Sequence, residues 1–249
     1  MKKYKPQTKE ELKNLVFTDG IKLNCVDTSL ITDMSYLFQK SERKDFEGIE
    51  EWDTSNVTNM SGMFQVAESF NQPLDKWDVS KVTTMRAMFN YAKAFNQDIS
   101  NWNVSKVEDM GYMFSICVNF NQSLNDWDVS KVKTMEGMFR SAFKFNQPLD
   151  KWNTSKVENM HEMFNEALKF NQPLNSWNVS NVKTMECMFR GTESFNQPLD
   201  KWDTKKLKTM FGMFDFAKGY NCFDSLSNWD LSKVSEMSNL CFGRYEEFL

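Results

Sequence analysis

Apolar residues recur along this chain on a 25-residue step. Trp52, Trp77, Trp102, Trp127, Trp152, Trp177 and Trp202 are evenly spaced, and Trp229 follows after a two-residue insertion. Two methionine rows keep the same step, one from Met60 to Met210 and one from Met63 to Met213. Each member of the second is followed by Phe, from Phe64 to Phe214. Another aromatic stands six residues on, from Phe70 through Phe195 to Tyr220. The unit reads F-N-Q-P-L-D-K-W-D-V-S-K-V-x-x-M-x-x-M-F-x-x-A-x-x. A fixed period of this size marks a solenoid, propeller or array, because one unit cannot bury its own apolar face.

The spacing of Val82, Met85, Met88, Phe89 and Ala92 puts all five on one face of a helix. Ser105 with Glu108 and Ser155 with Glu158 match helix-starting S-x-x-E boxes. Phe95 to Ile99 alternates apolar and polar and predicts a short strand, made irregular by Pro73, Pro148, Pro173 and Pro198 at the equivalent segment. The expected coil is therefore a short strand, a Trp-Asp corner and a short helix. Residues 1–25 predict a cap. Thr8 and Glu11 form a capping box, Leu12, Leu15 and Val16 share an apolar face, Asp19-Gly20 is a turn, and Ile21 to Val26 is a first strand. Residues 26–242 hold about nine units, degenerate at both ends: Val26 replaces Trp, and Leu240-Cys241 replaces Met-Phe. Residues 243–249 form a tail.

Composition narrows the function classes. A net charge of −4 comes with Lys and Arg distributed along the array, so no basic stripe predicts nucleic acid. No run is long and apolar enough for a membrane span. The first residues, MKKYKPQTKEELKNLVF, lack the apolar core and cleavage site of a signal peptide, which makes the cytoplasm the default expectation. The five cysteines fall at unrelated repeat positions and read as reduced thiols.

The string W-D-V-S-K-V-x-x-M-x-x-M-F, followed by A and F-N-Q-P-L, resembles the repeat of BspA-like leucine-rich-repeat surface proteins. Within them it is similar to the Met/Trp-rich subtype of mycoplasmas, lactobacilli and some epsilonproteobacteria. The resemblance covers about 26–242. It implies an α/β, right-handed, leucine-rich-repeat-like solenoid with one short strand and one short helix per coil. Such solenoids are often displayed on cell surfaces for adhesion or host contact, with no catalytic residues.

Each candidate site has a structural alternative. The asparagine row from Asn71 to Asn221 reads as a polar strip or as corner amides that satisfy backbone groups. Asp53, Asp78, Asn103, Asp128, Asn153, Asn178, Asp203 and Asp230 follow each Trp. Stacked carboxylates suit calcium, or paired acids of a glycan hydrolase, but the Asp/Asn mixture favours turn capping. His161, the single histidine, sits in a slot that also holds Ser61, Arg86, Gly111 and Glu136, without a partner nucleophile. The methionine rows are core. No nucleotide or zinc-protease motif is present, and no cofactor or metal is expected.

The informative slots are those where the copies differ. Val118, Phe143 and Leu168 occupy one of them in three consecutive units, between Lys93 and Glu193. Tyr91, Tyr112, Ile116, Phe211 and Phe216 stand in neighbouring slots. An apolar patch with a charged rim marks a contact surface. The expected function is a non-enzymatic module that binds another protein, of a host or cell surface. Self-association through coil ends is the structural alternative.

Overall fold

The computed structural model describes residues 3–235. Each 25-residue unit returns alongside the next, in parallel and in register. Asp33 pairs with Asn59, Asn59 with Thr84, Thr84 with Asp109, and so on to Thr184 with Thr209. The sequence period is thus the length of one coil in a stack. Leu240-Cys241 and residues 243–249, expected to form the last degenerate unit and tail, lie outside the described residues.

Neither element expected within the coil forms. The one α-helix among the described residues is α1, Lys9–Val16, and strand pairing there is confined to single bridge residues. Met85 to Ala92 is a chain of turns. The N–H groups of Met85, Ala87, Phe89 and Tyr91 donate to the carbonyls of Asp109, Gly111, Met113 and Ser115 in the next coil, at 2.8–3.0 Å. The intervening N–H groups of Met88, Asn90 and Ala92 turn back to Met85, Ala87 and Phe89 of the same coil. An α-helix would use all these donors internally; here every second one crosses between coils. Ala87 and Tyr91 complete the break, with φ of 55° and 62°. The expected face is nevertheless right. Val82, Met85, Met88, Phe89 and Ala92 are fully buried, because turns that advance three residues at a time repeat an apolar position much as a helix does.

The S-x-x-E boxes are used differently too. The N–H groups of Ser105 and Ser155 are bonded by the preceding Asn103 and Asn153, and Glu108 and Glu158 pair with Lys133 and Lys183 of the next coil. The Phe95 to Ile99 segment makes no backbone ladder. It carries Asp98 where other coils have proline, and the asparagine row stands in place of a ladder: Asn71 Oδ1 accepts the N–H of Asn96 at 2.9 Å and an Nε2–H of Gln97 at 3.0 Å, and the first of these bonds recurs up to Asn221. The expected first strand, Ile21 to Val26, is a 3-10 turn at Leu23–Cys25 followed by a single bridge from Val26 to Tyr4.

The core is a set of aromatic rows. Phe64, Phe89, Phe114, Phe139, Phe164, Phe189 and Phe214 stack 5.6–5.8 Å apart and nearly parallel. All eight tryptophans are buried, and each donates its indole N–H to a carbonyl of the preceding coil. Trp77 bonds Ile49, Trp102 bonds Leu74 and Trp127 bonds Ile99, at 3.0–3.1 Å. Tryptophan suits this corner because the ring fills the core while its one donor satisfies a buried carbonyl.

The Asp/Asn residues after each Trp are turn caps. Asp78 Oδ1 accepts the N–H of Ser80 at 2.9 Å, Asp128 that of Ser130 at 3.0 Å, and Asn178 that of Ser180 at 3.1 Å. Hydrogen bonds from Ser80 and Ser130 hold the Asp78 and Asp128 carboxyls below their usual range, and Ser29 does so most strongly for Asp27, lowered to about 2. A folded-state value below that of the unfolded chain stabilises above about pH 4, and the contribution disappears as pH falls through the folded value. Melting temperature is therefore expected to fall between about pH 4 and 2. Asp78→Asn with Asp128→Asn, which keeps the acceptor but removes the titration, should flatten that fall and leave the neutral-pH melt almost unchanged. A steeper acid loss in the double variant would contradict this role.

At the start of the stack, α1 lies over the first coil. Thr8 Oγ1 caps the helix by accepting the Glu11 N–H, Leu12 and Val16 are buried, and Lys9 Nζ reaches Ser35 Oγ at 2.5 Å. Arg43 ties the helix end down by donating to the Val16 carbonyl at 2.8 Å. Of the cysteines, Cys117 is buried in the Ala slot, and burial pushes its thiol up; Cys25, Cys187 and Cys222 are partly buried free thiols, and Cys241 lies outside the described residues.

Candidate interaction surface

The turns leave two outward positions per coil in the left-handed backbone region. One runs Tyr36, Gly62, Ala87, Tyr112, Gly137, Glu162, Cys187 and Gly212; the other runs Lys40, Val66, Tyr91, Ile116, Ser141, Glu166, Gly191 and Phe216. Glycine adopts this conformation freely, whereas other residues lose roughly 1–2 kcal/mol. A β-branched residue is worst placed of all. Yet Val66 and Ile116 have φ of 61° and 59°, and Tyr36, Tyr91, Tyr112 and Phe216 have φ of 55–62°. Tyr36, Tyr91 and Phe216 are 47%, 41% and 50% exposed. Side chains this large are therefore kept at a cost in the positions where glycine would fold best.

The eight residues expected to make one patch divide into separate groups. Tyr91 and Ile116 share a row with Val66, which sequence reasoning omitted. Two residues further along the chain begins the row of Val118, Phe143 and Leu168. Together they form one oblique stripe, Val66–Tyr91–Ile116–Val118–Phe143–Leu168, across five adjacent coils. Phe143 and Tyr91 are exposed, and the other four are half-buried. Ion pairs bound the second row at both ends, Lys93 with Glu68 at 2.9 Å and Lys218 with Glu193 at 3.7 Å. Lys144 and Lys169 flank Phe143 and Leu168 and form a shallow groove with Asn96, Asn121 and Asn146 of the asparagine row.

Tyr112, Phe211 and Phe216 lie apart from the stripe. The Tyr112 ring covers Gly137, where a Cβ would stand 2.4 Å from it. Its hydroxyl donates to Glu136 Oε1 at 3.0 Å, and burial together with the Glu136 charge pushes its pKa up to about 12. Arg86 passes over Gly111 to reach Glu136 Oε2 at 2.8 Å, two coils away, and stacks on the Tyr112 ring. Phe216 sits under the Arg190 guanidinium, two coils beyond the coil of Leu168, and Phe211 is half-buried.

Between Tyr112 and Phe216 the turn face is polar. Arg140 pairs with Glu162 at 3.1 Å and Arg190 with Asp215 at 3.4 Å. His161 Nδ1 lies 3.4 Å from Glu186 Oε2 without hydrogen-bond alignment, and no nucleophile adjoins it in these contacts. Sequence reasoning treated this slot as merely variable. The signal that could have found the network is charge alternation at a 25-residue offset, as in Glu136, His161 and Glu186.

The same offset reveals what a reading along the chain hides in the lysines. Lys81, Lys106, Lys131, Lys156, Lys206 and Lys233 occupy one slot, and all are exposed. Scattered in sequence, they fall into a single file along one edge of the stack.

Among the described residues, no group of His, Cys, Asp and Glu could hold a metal ion, and no helix is long and apolar enough to cross a membrane. No curated protein and no solved structure matches the chain. A family described as "Mycoplasma protein of unknown function, DUF285" matches residues 12–127, 116–224 and 144–248, overlapping segments as a tandem repeat requires. These matches span nearly the whole stack, and the chain belongs to that family.

Proposed function

We propose that this chain is a non-enzymatic module that binds another protein through the oblique apolar stripe, as adhesive BspA-like leucine-rich-repeat proteins do at cell surfaces. In this reading the stacked coils form a right-handed solenoid, with residues 1–25 as its cap, and its partner belongs to a host or cell surface. The observation that carries it is the strained row. Val66, Tyr91 and Ile116 hold left-handed backbone conformations that glycine would adopt without cost, so their side chains are retained for what they present. The acidic rows support a non-catalytic reading, because their carboxylates are engaged as turn caps. Self-association by end-to-end stacking is disfavoured at the first coil, which α1 covers.

The test is capture by the immobilised full chain and by Val118→Ser/Phe143→Ser/Leu168→Ser, from surface extracts of the source cells and of the cells they colonise. A protein retained by the native chain and lost by the triple variant, with the fold preserved by circular dichroism, is the expected result. Equal capture by both chains, with only the melting temperature lowered, would make the stripe core rather than contact surface.

A further inference from the structure

The asparagine row uses only half of each amide. Asn71, Asn96 and Asn146 each accept twice at Oδ1, from the backbone N–H of the asparagine one coil on and from an Nε2–H of the glutamine beside it, at 2.9–3.1 Å. Asn121 Oδ1 accepts the Asn146 N–H at 2.9 Å. A backbone N–H can be met only by an oxygen here, so these bonds fix which way each amide points. The Nδ2 groups of Asn96, Asn121 and Asn146 then have no partner among the described residues, and all three asparagines are half-buried in the wall of the groove.

The remaining groups of the groove have the same polarity. Lys144 Nζ donates to Asn119 Oδ1 at 2.7 Å, and Asn119 Nδ2 donates to the Lys93 carbonyl at 2.9 Å. Lys169 is exposed. Neither Lys144 nor Lys169 is ion-paired among the described residues, whereas Lys93 and Lys218 in the adjoining row hold Glu68 and Glu193. No carboxylate lines the groove. What it offers a ligand is therefore amide NH2 and ammonium donors, in a chain whose net charge is −4.

The apolar row runs beside these donors, one residue away along the chain. Val118 precedes Asn119, Phe143 precedes Lys144 and Leu168 precedes Lys169. Neighbouring coils lie about 4.8 Å apart, so an apolar strip and a donor strip run side by side along the stack. A ligand that covers both must carry apolar groups and hydrogen-bond acceptors on one backbone. A uniformly charged polymer leaves Phe143 and Leu168 in water, and a wholly apolar one strips water from Lys144 without replacing it.

We propose that the partner bound at the stripe presents an acidic segment to it: a stretch of chain in which Leu, Ile or Phe side chains cover Val118, Phe143 and Leu168 while Asp or Glu carboxylates enter the groove. This rests on the reading of the stripe as a contact surface and adds the chemistry of what binds there. An ionised carboxylate only accepts, at about four sites, and its bonds from ammonium groups are charge-assisted. Phosphate fits less well, because it is recognised by arginine clusters and no arginine lines the groove.

Selection of a displayed random-peptide library on the immobilised full chain tests the proposal. Recovered peptides are expected to be enriched in Asp and Glu beside Leu, Ile or Phe. Selection on Lys144→Gln/Lys169→Gln should lose the acidic enrichment and keep the apolar one. Lys81→Gln/Lys206→Gln removes the same charge from another edge and should keep both. For a peptide recovered on the native chain, Lys144→Gln/Lys169→Gln should weaken binding about tenfold or more. Replacing the peptide's acids by Asn or Gln should do the same, and the two changes together should cost little further. Val118→Ser/Phe143→Ser/Leu168→Ser separates this inference from the reading beneath it. If that variant loses the apolar enrichment but acids are not enriched on the native chain, or are enriched equally on Lys144→Gln/Lys169→Gln, the stripe stands and the acidic segment is overturned. Recovery of the same peptides on the triple variant as on the native chain would instead remove the stripe itself. A chain that enriches no peptide, or that binds heparin in place of them, also overturns the acidic segment.

Discussion

Trp127→Ala is expected to lower the melting temperature by about 10–15 °C, the largest loss from any single truncation on the chain. Trp127 is 3% exposed, stacks on Trp102 at 6.4 Å and lies tilted against Phe114 at 6.3 Å. Removing a buried aromatic of this size costs about 3–5 kcal/mol through lost burial and the cavity left behind. The Ile99 carbonyl, bonded by the indole at 3.1 Å, would also be stranded, at about 1–3 kcal/mol. Because a coil packs its core on its two neighbours, damage at the centre weakens both interfaces that Trp127 bridges. Trp127→Phe separates the contributions: it keeps most of the stacking and should lose only the smaller hydrogen-bond share. Thermal melts of the two variants would measure this. Equal losses would mean that the hydrogen bond, and not ring burial, dominates the corner.

Ile116→Pro is expected to cost more than about 3 kcal/mol and to open the stack at the following coil. The reasons lie in the backbone. The Ile116 N–H donates to the Arg140 carbonyl at 2.7 Å, and proline has no such donor. Proline also fixes φ near −65°, whereas Ile116 sits at +59°. Side-chain loss alone would be modest, since Ile116 is only half-buried. Hydrogen exchange should show the amides of Tyr91 and Ser141, which bond Ser115 and Asn165 in the flanking ladder, losing protection in the variant. Undiminished protection would mean that the inter-coil bonds are not what joins these coils.

The period, the coil length and the buried set were legible in the sequence, because burial depends on which residues repeat and not on the backbone path between them. Val82, Met85, Met88, Phe89 and Ala92 are buried as the pattern requires. The path was not legible. A three-residue advance is shared by a helical face and by successive turns, and the feature that separates them is backbone chirality at Ala87, Tyr91, Tyr112 and Ile116. Only Gly62, Gly137, Gly191 and Gly212 hint at it in the sequence, and bulky residues elsewhere in the same two slots conceal the hint. The stripe we propose as a contact surface was partly legible. Tyr91, Ile116, Val118, Phe143 and Leu168 were visible as apolar residues in variable slots. Val66 was missed, and Tyr112 and Phe216 were grouped with them although each is engaged with an arginine.

The most direct measurement is the thermal melt of Val66→Gly/Tyr91→Gly/Ile116→Gly. If these residues occupy left-handed turns, glycine relieves backbone strain that offsets its greater freedom in the unfolded chain and the burial it forgoes. The melting temperature should then hold or rise. If instead they occupied helical positions, three glycines at about 1 kcal/mol each would lower it by about 6–12 °C. A fall of that size would contradict the turn architecture and, with it, the reading of the strained row as a surface kept for binding.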